Sequence, residues 1–307
     1  MAAAKTKPDA SAAKTKPAKS KPFLVGPVQT QTKDDISTRL ALLLWGAATC
    51  GKSTLAATAP GHKLWLSLGD NEHTPVIHRD DVTVANLSGL SYEDLFKHGQ
   101  NDNPFGLDQI LREHEEIATV VVDSATALTF RALQKSVSKG VGASRTFTPT
   151  MEQPGISAYG GRNAIVLECL TGILKVTSRY NVHVIVTAHE ADPVMKTENN
   201  KEVIDYISLQ LGGQLVNNMT WRLSEIWYMS QESGAQGRRR LAVRATRFRR
   251  PMKTRMFSGK GPAEFFVEYD ADKPDDKQMT IASMHNKWVD NGYQKIDVPN
   301  NMLSKGK

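Results

Sequence analysis

The chain has 307 residues, of which 40% are hydrophobic, and it carries a formal net charge of +7. This length and apolar content allow a sizeable core, which excludes a protein that is disordered throughout. The net charge alone does not indicate a nucleic-acid partner, because residues 1–22 hold six lysines against the single acid Asp9 and leave about +2 for the rest of the chain.

The cysteine content and hydropathy exclude two further classes. Cys50 and Cys169 are the only cysteines, and their spacing is typical neither of a disulfide framework nor of a zinc site. The sequence has no run of eighteen apolar residues and no apolar core of a secretory signal near its start. We therefore expect a cytoplasmic protein without a membrane partner.

The first segment, residues 1–37, is expected to be a disordered basic tail with a short lead-in to the folded part. The hexapeptide Ala-Ala-Lys-Thr-Lys-Pro occurs twice, at 3–8 and 12–17, among residues that offer almost nothing to bury. Two roles are open for this tail: it increases solubility, or it makes nonspecific electrostatic contacts with nucleic acid.

From residue 38 onward, short apolar runs alternate with helical segments, which predicts an α/β core over residues 38–270 with parallel strands and crossover helices. Strands are expected at 40–45, 63–68, 82–87, 118–122 and 182–187. Helices are expected at 52–59, 107–116, 125–138 and 163–180. Residues 139–161 are rich in Gly, Ser, Thr and Pro and are predicted to form a long functional or mobile loop.

After residue 189 the alternation stops and hairpins are expected. One would cover 194–207 around Asn199-Asn200, and a second would join strands at 225–231 and 239–246. We expect both to extend the sheet with antiparallel strands. The last segment, residues 271–307, is predicted to form a helix at about 278–291 followed by a polar tail.

The most informative motif follows the apolar run 40–45. Residues 46–54 match the phosphate-binding pattern G-x-x-x-x-G-K-[ST], with a strand before it and a helix-compatible segment after it. Lys52 would reach the β- and γ-phosphates of a nucleoside triphosphate, and Ser53 would place its hydroxyl on Mg²⁺. The residues predicted to bind the nucleotide are Gly46, Ala47, Ala48, Thr49, Cys50, Gly51, Lys52, Ser53 and Thr54.

A second element is the apolar strand that ends in Asp123. A carboxylate at such a strand end lies beside the phosphate loop, where it would hold Mg²⁺ together with Ser53. Many motor ATPases have a glutamate directly after this aspartate as the general base, but this chain has Ser124 there. The base is therefore expected elsewhere in the sequence.

The segment Val120 to Thr129, Val-Val-Val-Asp-Ser-Ala-Thr-Ala-Leu-Thr, resembles the corresponding segment of RecA-type recombinases. This resemblance implies that the base follows the strand after the phosphate-loop helix, which makes Asp70 and Glu72 the candidates. We favour Glu72, because Glu72-His73 is similar to the family pattern. The chain departs from that pattern at Ser67, where the family usually has an aspartate.

The third element is the strand Val184 to Ala188, which ends at His189. RecA-type proteins have a glutamine there that senses the γ-phosphate, and a histidine can make the same hydrogen bond. The alternative is a histidine that is simply satisfied at a strand end. Together the motifs resemble phage RecA-core ATPases of the single-strand annealing type over residues 38–257. The resemblance implies a RecA-like P-loop NTPase core, with a mostly parallel sheet, helices on both faces and antiparallel strands near the C-terminus.

Residues 238–255 hold eight arginines and one lysine without a carboxylate, a composition that attracts phosphates. The resemblance implies that a cation from the basic motif 251–257 completes the ATP site of a neighbouring subunit. Lys253 and Arg255 are the candidates for that role. In the alternative, they form an exposed basic strand edge together with Arg247, Arg249 and Arg250.

The resemblance also places two mobile DNA loops at 139–161 and 190–211. Candidate residues for phosphate pairing and base stacking on single strands are Lys139, Arg145, Phe147, Tyr159 and Arg162. The segment 190–211 has more acidic than basic residues, which argues against it as a DNA surface.

The function that we expect is that of an ATP-binding and ATP-hydrolysing, Mg²⁺-dependent protein. It would assemble as a homo-oligomeric filament or ring on single-stranded DNA and promote annealing or strand exchange in phage recombination, in the host cytoplasm. A single-strand-binding protein is a further candidate partner. Two alternatives remain: a nucleotide-gated accessory or scaffold protein with weak turnover, and a DNA motor such as a helicase or packaging ATPase.

Overall fold

A computed structural model describes residues 24–25, 28–29, 38–70, 72–97, 103–144, 146–232, 238–246, 248–267 and 278–300. The chain divides into two units, residues 1–37 and 38–307. In the first unit, strands β1 (Leu24–Val25) and β2 (Val28–Gln29) form an antiparallel pair. The predicted disordered tail of residues 1–22 lies outside the described residues.

The second unit consists of one large sheet, one small sheet and seven α-helices within its described residues. Its strands are β3 (Ala41–Gly46), β4 (His62–Ser67), β5 (Val82–Asn86), β6 (Ile117–Asp123), β7 (His183–His189), β8 (Val194–Glu198), β9 (Lys201–Tyr206), β10 (Glu225–Gln231), β11 (Arg239–Ala242) and β12 (Glu264–Val267). The helices are α1 (Lys52–Ala56), α2 (Tyr92–Lys97), α3 (Leu107–Glu113), α4 (Ala125–Ser138), α5 (Gly155–Arg179), α6 (Gln214–Arg222) and α7 (Ile281–Asp290).

The large sheet has eight strands in the order β12-β11-β10-β3-β7-β6-β4-β5. The six strands from β10 to β5 are parallel to their neighbours, and β11 and β12 add an antiparallel edge. This arrangement confirms the predicted α/β fold class, with a mostly parallel sheet and antiparallel strands near the C-terminus. Because the strands from β10 to β4 are parallel, their carboxyl ends meet at one edge of the sheet.

Successive side chains of β3 point to opposite faces of the sheet, and because both sets are apolar, both faces are covered by helices. Leu42 and Leu44 point to the face that α1 and α7 cover, whereas Leu43 and Trp45 point to the face that α4 and α5 cover. All four side chains are fully buried. A continuous apolar run of this kind is typical of a parallel strand that is buried on both sides, and it confirms helices on both faces.

Helix α7 is attached to the end of the short helix α1. The backbone N–H groups of Ile281 and Ala282 donate to Thr58, just beyond α1, at 2.9 Å to its hydroxyl and 3.0 Å to its carbonyl oxygen. Thr280 and Ser283 form a reciprocal capping box at the start of α7. The predicted helix at 278–291 is therefore found, and it packs on the helix that follows the phosphate-loop motif.

One prediction that was wrong concerns the long loop. Helix α5 begins at Gly155 rather than at 163, so the loop predicted at 139–161 ends at residue 154. The two consecutive glycines at 160–161 disfavour a helix, but packing against α4 overrides this propensity. Ala158 is fully buried, and its carbonyl oxygen accepts a hydrogen bond from Ser136 at 2.8 Å.

The hairpin around Asn199-Asn200 is found, but it does not extend the large sheet as we expected. Strands β8 and β9 form a separate two-stranded sheet, and both asparagines adopt the left-handed conformation of a tight turn. Most side chains of this hairpin are exposed or half-buried, so it offers no apolar face to the core. The sequence patterns also missed α2, α6 and β12, whereas the other predicted elements are found with ends shifted by a few residues.

We expect His183 to make the fold sensitive to mild acid. Its Nδ1 accepts the backbone N–H of Leu40 at 3.0 Å, and its ring lies 4.8 Å from that of His285. Burial, together with the charges of His285, Arg39 and Arg255, lowers the pKa of His183 to about 4. The unfolded histidine keeps a pKa of about 6.5, so the unfolded state binds the proton first as the pH falls. The stabilising effect is present above pH 6.5 and is lost between pH 6.5 and pH 4.

The measurement is urea unfolding of the native chain and His183→Gln at pH 7, 6 and 5. The difference between their free energies of unfolding should shrink by about 2 kcal/mol over this range. Comparing the two chains removes the contribution of groups that do not interact with His183, such as distant carboxylates with raised pKa. His78→Gln, which removes an exposed histidine, is measured in parallel as the control for loss of a histidine. A pH-independent difference for His183→Gln would contradict the prediction.

Candidate functional site

The phosphate-loop motif, residues 46–54, joins β3 to α1 at the carboxyl edge of the large sheet. Gly46 lies so close to β10 that an added Cβ would be 2.0 Å from the carbonyl oxygen of Met229. Gly51 has a φ of +97°, in the left-handed region that favours glycine. The two glycines of the motif are therefore required by the backbone path, and they leave positions 46 and 51 of the loop without side chains.

Lys52 is the first residue of α1, and its side chain folds back over this loop. Its Nζ donates to the carbonyl oxygens of Ala47 at 2.6 Å and Gly46 at 3.1 Å, and it lies 3.5 Å from Nδ1 of His189. Lys52 is only 6% exposed and forms no ion pair with the described part of the chain. Buried ammonium groups are normally paired with anions, so this position is well suited to a phosphate.

Asp123 ends β6 and is buried beside the loop. Its Oδ2 accepts from the Ser53 hydroxyl at 3.0 Å, and its Oδ1 accepts from the Thr187 hydroxyl. Burial raises the pKa of Asp123 to about 6, and the charge of Glu72 adds to this, while the hydroxyl donors and Lys52 oppose it. Thr187 was not predicted from the sequence, although it lies within the strand that ends at His189.

A hydroxyl and a carboxylate side by side are oxygen donors that Mg²⁺ prefers. The residues present therefore fit the predicted metal, with Ser53 and Asp123 as the side chains that would hold it. No cluster of three or more His, Cys, Asp and Glu side chains suited to a metal is found in the described residues. Phosphate oxygens and water would have to supply the remaining ligands.

Three groups contact the Glu72 carboxylate and hold it near Asp123. Its Oε2 accepts the backbone N–H of Gly69 at 3.0 Å, its Oε1 accepts the Ser124 hydroxyl at 3.1 Å, and Nε2 of His189 lies 3.9 Å from Oε1. Burial would raise the pKa of Glu72, but the nearby His189 ring and the hydrogen bonds from Ser124 and Gly69 outweigh it and lower the pKa below its ordinary value. The carboxylate is therefore ionised at neutral pH and able to accept a proton.

The structure brings five predicted residues together and separates others. Side chains of Lys52, Ser53, Glu72, Asp123 and His189 meet where β3, β4, β6 and β7 end. His189 lies between Lys52 and Glu72, and its role as a sensor of the γ-phosphate stays a prediction. The second candidate base, Asp70, lies in the same loop as Glu72 but is exposed.

Lys253 and Arg255 lie near Glu225, which pairs with Leu42 towards the amino end of the sheet. The Lys253 ammonium donates to the carbonyl oxygen of Leu223 at 2.8 Å. The backbone N–H of Arg255 donates to Glu225 at 2.8 Å, and its guanidinium lies 4.7 Å over the Trp288 ring. These contacts attach the basic motif to its own subunit, and the trans-acting role stays a prediction.

The alternative of an exposed basic edge fits only part of the arginine-rich stretch 238–255. Arg240 and Arg249 both pair with Glu264, and Arg249 also lies 4.4 Å over the ring of Tyr228. Arg244 donates to two loop carbonyl oxygens. Arg250 is exposed, and Arg247 lies outside the described residues. Glu264, which lies outside this stretch, therefore neutralises part of its charge.

The predicted DNA residues lie at and before the start of α5. Lys139 is exposed after α4, Phe147 packs beside Gly155, and Tyr159 is 42% exposed. The half-buried Arg162 lies 5.0 Å over the Tyr159 ring. Arg145 lies outside the described residues. The structure thus pairs Tyr159 with Arg162 and places Phe147 at the start of the same helix, and their contacts with DNA stay predictions.

A family model described as an AAA domain matches residues 38–256. Among solved structures, a KaiC-like protein from the archaeon Pyrococcus horikoshii OT3 is similar with a TM-score of 0.40 and 11% identity, over 74% of this chain and 84% of that one. A RadB recombinase is similar with a TM-score of 0.35 and 15% identity, over 66% and 79% of the two chains. No curated protein matches the sequence. Over the described residues, no helix is long and apolar enough to cross a membrane.

Proposed function

The chain belongs to the AAA domain family, and we propose that this P-loop ATPase binds ATP with Mg²⁺, hydrolyses it and acts on single-stranded DNA in the cytoplasm. The observation that carries the proposal is the buried Lys52 over the phosphate loop, with the Ser53–Asp123 pair and the ionised Glu72 around it. Lys52 would bind the phosphates, and Glu72 would accept the proton of the attacking water. His189, which lies between Lys52 and Glu72, would link the phosphate-binding group to the base.

The DNA part of the proposal rests on the surface around the start of α5. Ile156 is 92% exposed and Tyr159 is 42% exposed, which are large values for apolar side chains. Exposed rings beside cations suit stacking on unpaired bases. Helix α5 ends shortly before β7 begins at the amino edge of the sheet, so its other end lies towards the edge with the nucleotide site.

A cleft of about 430 Å³ lies next to this surface, between the β8–β9 hairpin and α6. It begins at Ala191, two residues after His189, and it includes Gly212, which lies against the Arg162 guanidinium. A DNA strand bound in this cleft would lie close to His189, the proposed sensor of the nucleotide.

We propose that the protein promotes annealing or strand exchange in phage recombination as a homo-oligomer. The exposed Lys253, with Arg255 beside it, would reach a neighbouring nucleotide.

The test compares ATP hydrolysis with and without single-stranded DNA, and annealing of complementary oligonucleotides, for the native chain and Lys52→Ala. We expect DNA-stimulated hydrolysis and annealing, both of which fall in the variant. Duplex unwinding would instead indicate a motor, and nucleotide binding without turnover would indicate a scaffold. Either result would contradict the proposal.

Replacing Tyr159 with alanine is expected to weaken single-stranded DNA binding by roughly 5-fold to 100-fold, because a base stacked on an aromatic ring contributes about 1 to 3 kcal/mol. The measurement is fluorescence anisotropy with a short labelled oligonucleotide. Tyr159→Phe keeps the ring and should bind almost as well as the native chain. Phe130→Ala removes a 57% exposed ring from α4 and is the second control. Equal losses in Tyr159→Ala and Phe130→Ala would contradict a specific role for Tyr159.

A further inference from the structure

Arg239, the first residue of β11, lies directly against the phosphate loop. It pairs with Gln231, beyond the position where Met229 of β10 pairs with Gly46. A Cβ placed on Gly51 would be 2.6 Å from Nε and 2.8 Å from Cζ of Arg239. The guanidinium therefore occupies the space beside the loop where α1 begins.

Successive side chains of a strand point to opposite faces of the sheet, so Arg239 in β11 faces away from its neighbours Arg238 and Arg240. Arg239 is on the same face as Leu241, which packs in the core beneath α1. Arg238 and Arg240 lie over the Phe266 ring at 5.2 Å and 5.3 Å, and Arg240 also pairs with Glu232. The middle arginine of three is thus the one that faces the loop.

The charge of Arg239 is not used elsewhere in the described structure. Its side chain is half-buried, and it forms no hydrogen bond or ion pair with any residue of the described ranges. A guanidinium offers five donors in a planar fork that matches phosphate oxygens. Next to a loop with no side chain at Gly51, such a group is available to an anion that enters the loop.

We propose that Arg239 binds the phosphate chain of the nucleotide from its own subunit, on the side of the loop opposite Ser53 and Asp123. The two sides are defined by the sheet, because β10 and β11 lie on one side of β3 while β7 and β6 lie on the other. The inference rests on the proposed nucleotide function and adds a second cation, beside Lys52, that acts in cis. Arg239 would hold the phosphates in position and takes no proton.

The test measures the affinity for ATP and for inorganic tripolyphosphate, both by competition with a fluorescent nucleotide. Arg239→Gln should weaken both ligands by about 10-fold to 100-fold, as expected for the loss of a hydrogen bond to a charged group. Arg239→Lys should lose less, because it keeps the charge. Arg238→Gln removes the adjacent arginine on the other face and should bind like the native chain. Without ligand, Arg239→Gln should unfold at the same temperature as the native chain.

Three results would overturn the inference while leaving the proposed function intact: unchanged affinity in Arg239→Gln, weaker ATP binding with unchanged tripolyphosphate binding, or an equal loss in Arg238→Gln. The second result would place Arg239 on the base or ribose. A lower unfolding temperature with unchanged affinities would assign a structural role only. If the native chain bound neither ligand, the proposed function itself would fail, and this inference with it.

Discussion

Replacing Lys52 with alanine is expected to weaken ATP binding at least about 100-fold, because each hydrogen bond between a charged donor and acceptor contributes about 1.5 to 3 kcal/mol. Within the described residues, the Lys52 ammonium is buried over the loop with two carbonyl oxygens, the His189 imidazole and the Cys50 sulfur within hydrogen-bond distance. Nothing else in the loop itself carries a positive charge. Calorimetric titration with ATP and Mg²⁺, together with phosphate release, measures the effect.

The same variant should not lose stability in the absence of nucleotide. Removing a buried charge that forms no ion pair with the described residues relieves a desolvation cost, so the unliganded unfolding temperature should stay the same or rise. Lys287→Ala, which removes an exposed lysine from α7, is the matched control and should bind ATP normally. Native affinity in well-folded Lys52→Ala would show that residues 46–54 do not bind the phosphates.

Replacing Glu72 with glutamine is expected to reduce ATP hydrolysis by about 10² to 10⁴, the usual contribution of a general base. Glutamine keeps one oxygen, which can accept from the backbone N–H of Gly69, and its amide nitrogen can donate to the Ser124 hydroxyl oxygen in place of the second bond. ATP affinity should therefore change little while the chemical step slows. Single-turnover hydrolysis at saturating ATP separates the two effects.

Asp70→Asn is the matched control for this prediction, because both acids lie in the loop after β4 and both are candidates from the sequence. Asp70 is exposed, whereas Glu72 accepts hydrogen bonds beside Asp123. We therefore expect near-native hydrolysis in Asp70→Asn. Slow hydrolysis in Asp70→Asn with near-native hydrolysis in Glu72→Gln would show that Asp70 is the base. Near-native hydrolysis in both variants would show that the base is another residue.

The sequence predicts the central strands and the residues at their ends because these depend on local patterns. Buried parallel strands have continuous apolar runs, such as Leu42 to Trp45 in β3 and Val120 to Val122 in β6. Once the strands are parallel, polar residues at their carboxyl ends have to meet at one edge. That is why Ser53, Asp123 and His189 could be assigned to one site before any distance was known.

The remaining features depend on contacts between distant segments, which a local pattern does not contain. The early start of α5 results from its packing on α4, against the preference of its glycines. Among the arginines of residues 238–255, the sequence does not indicate which ones meet Glu264 and which one lies against Gly51. The opposite orientations of successive side chains in β11 could have placed Arg239 and Arg240 on different faces of the sheet, but only after the strand boundary was known.

The contact between α7 and Thr58 has a consequence for dissecting the chain. The family match ends at residue 256, whereas α7 spans Ile281–Asp290 and covers Leu55 and Ala56 of α1. A fragment trimmed to the matched residues would retain each nucleotide motif and yet uncover the back of the helix that carries Lys52. Loss of activity in such a fragment would reflect the missing contact between α7 and α1. Supplying residues 278–300 as a separate peptide should restore part of the activity.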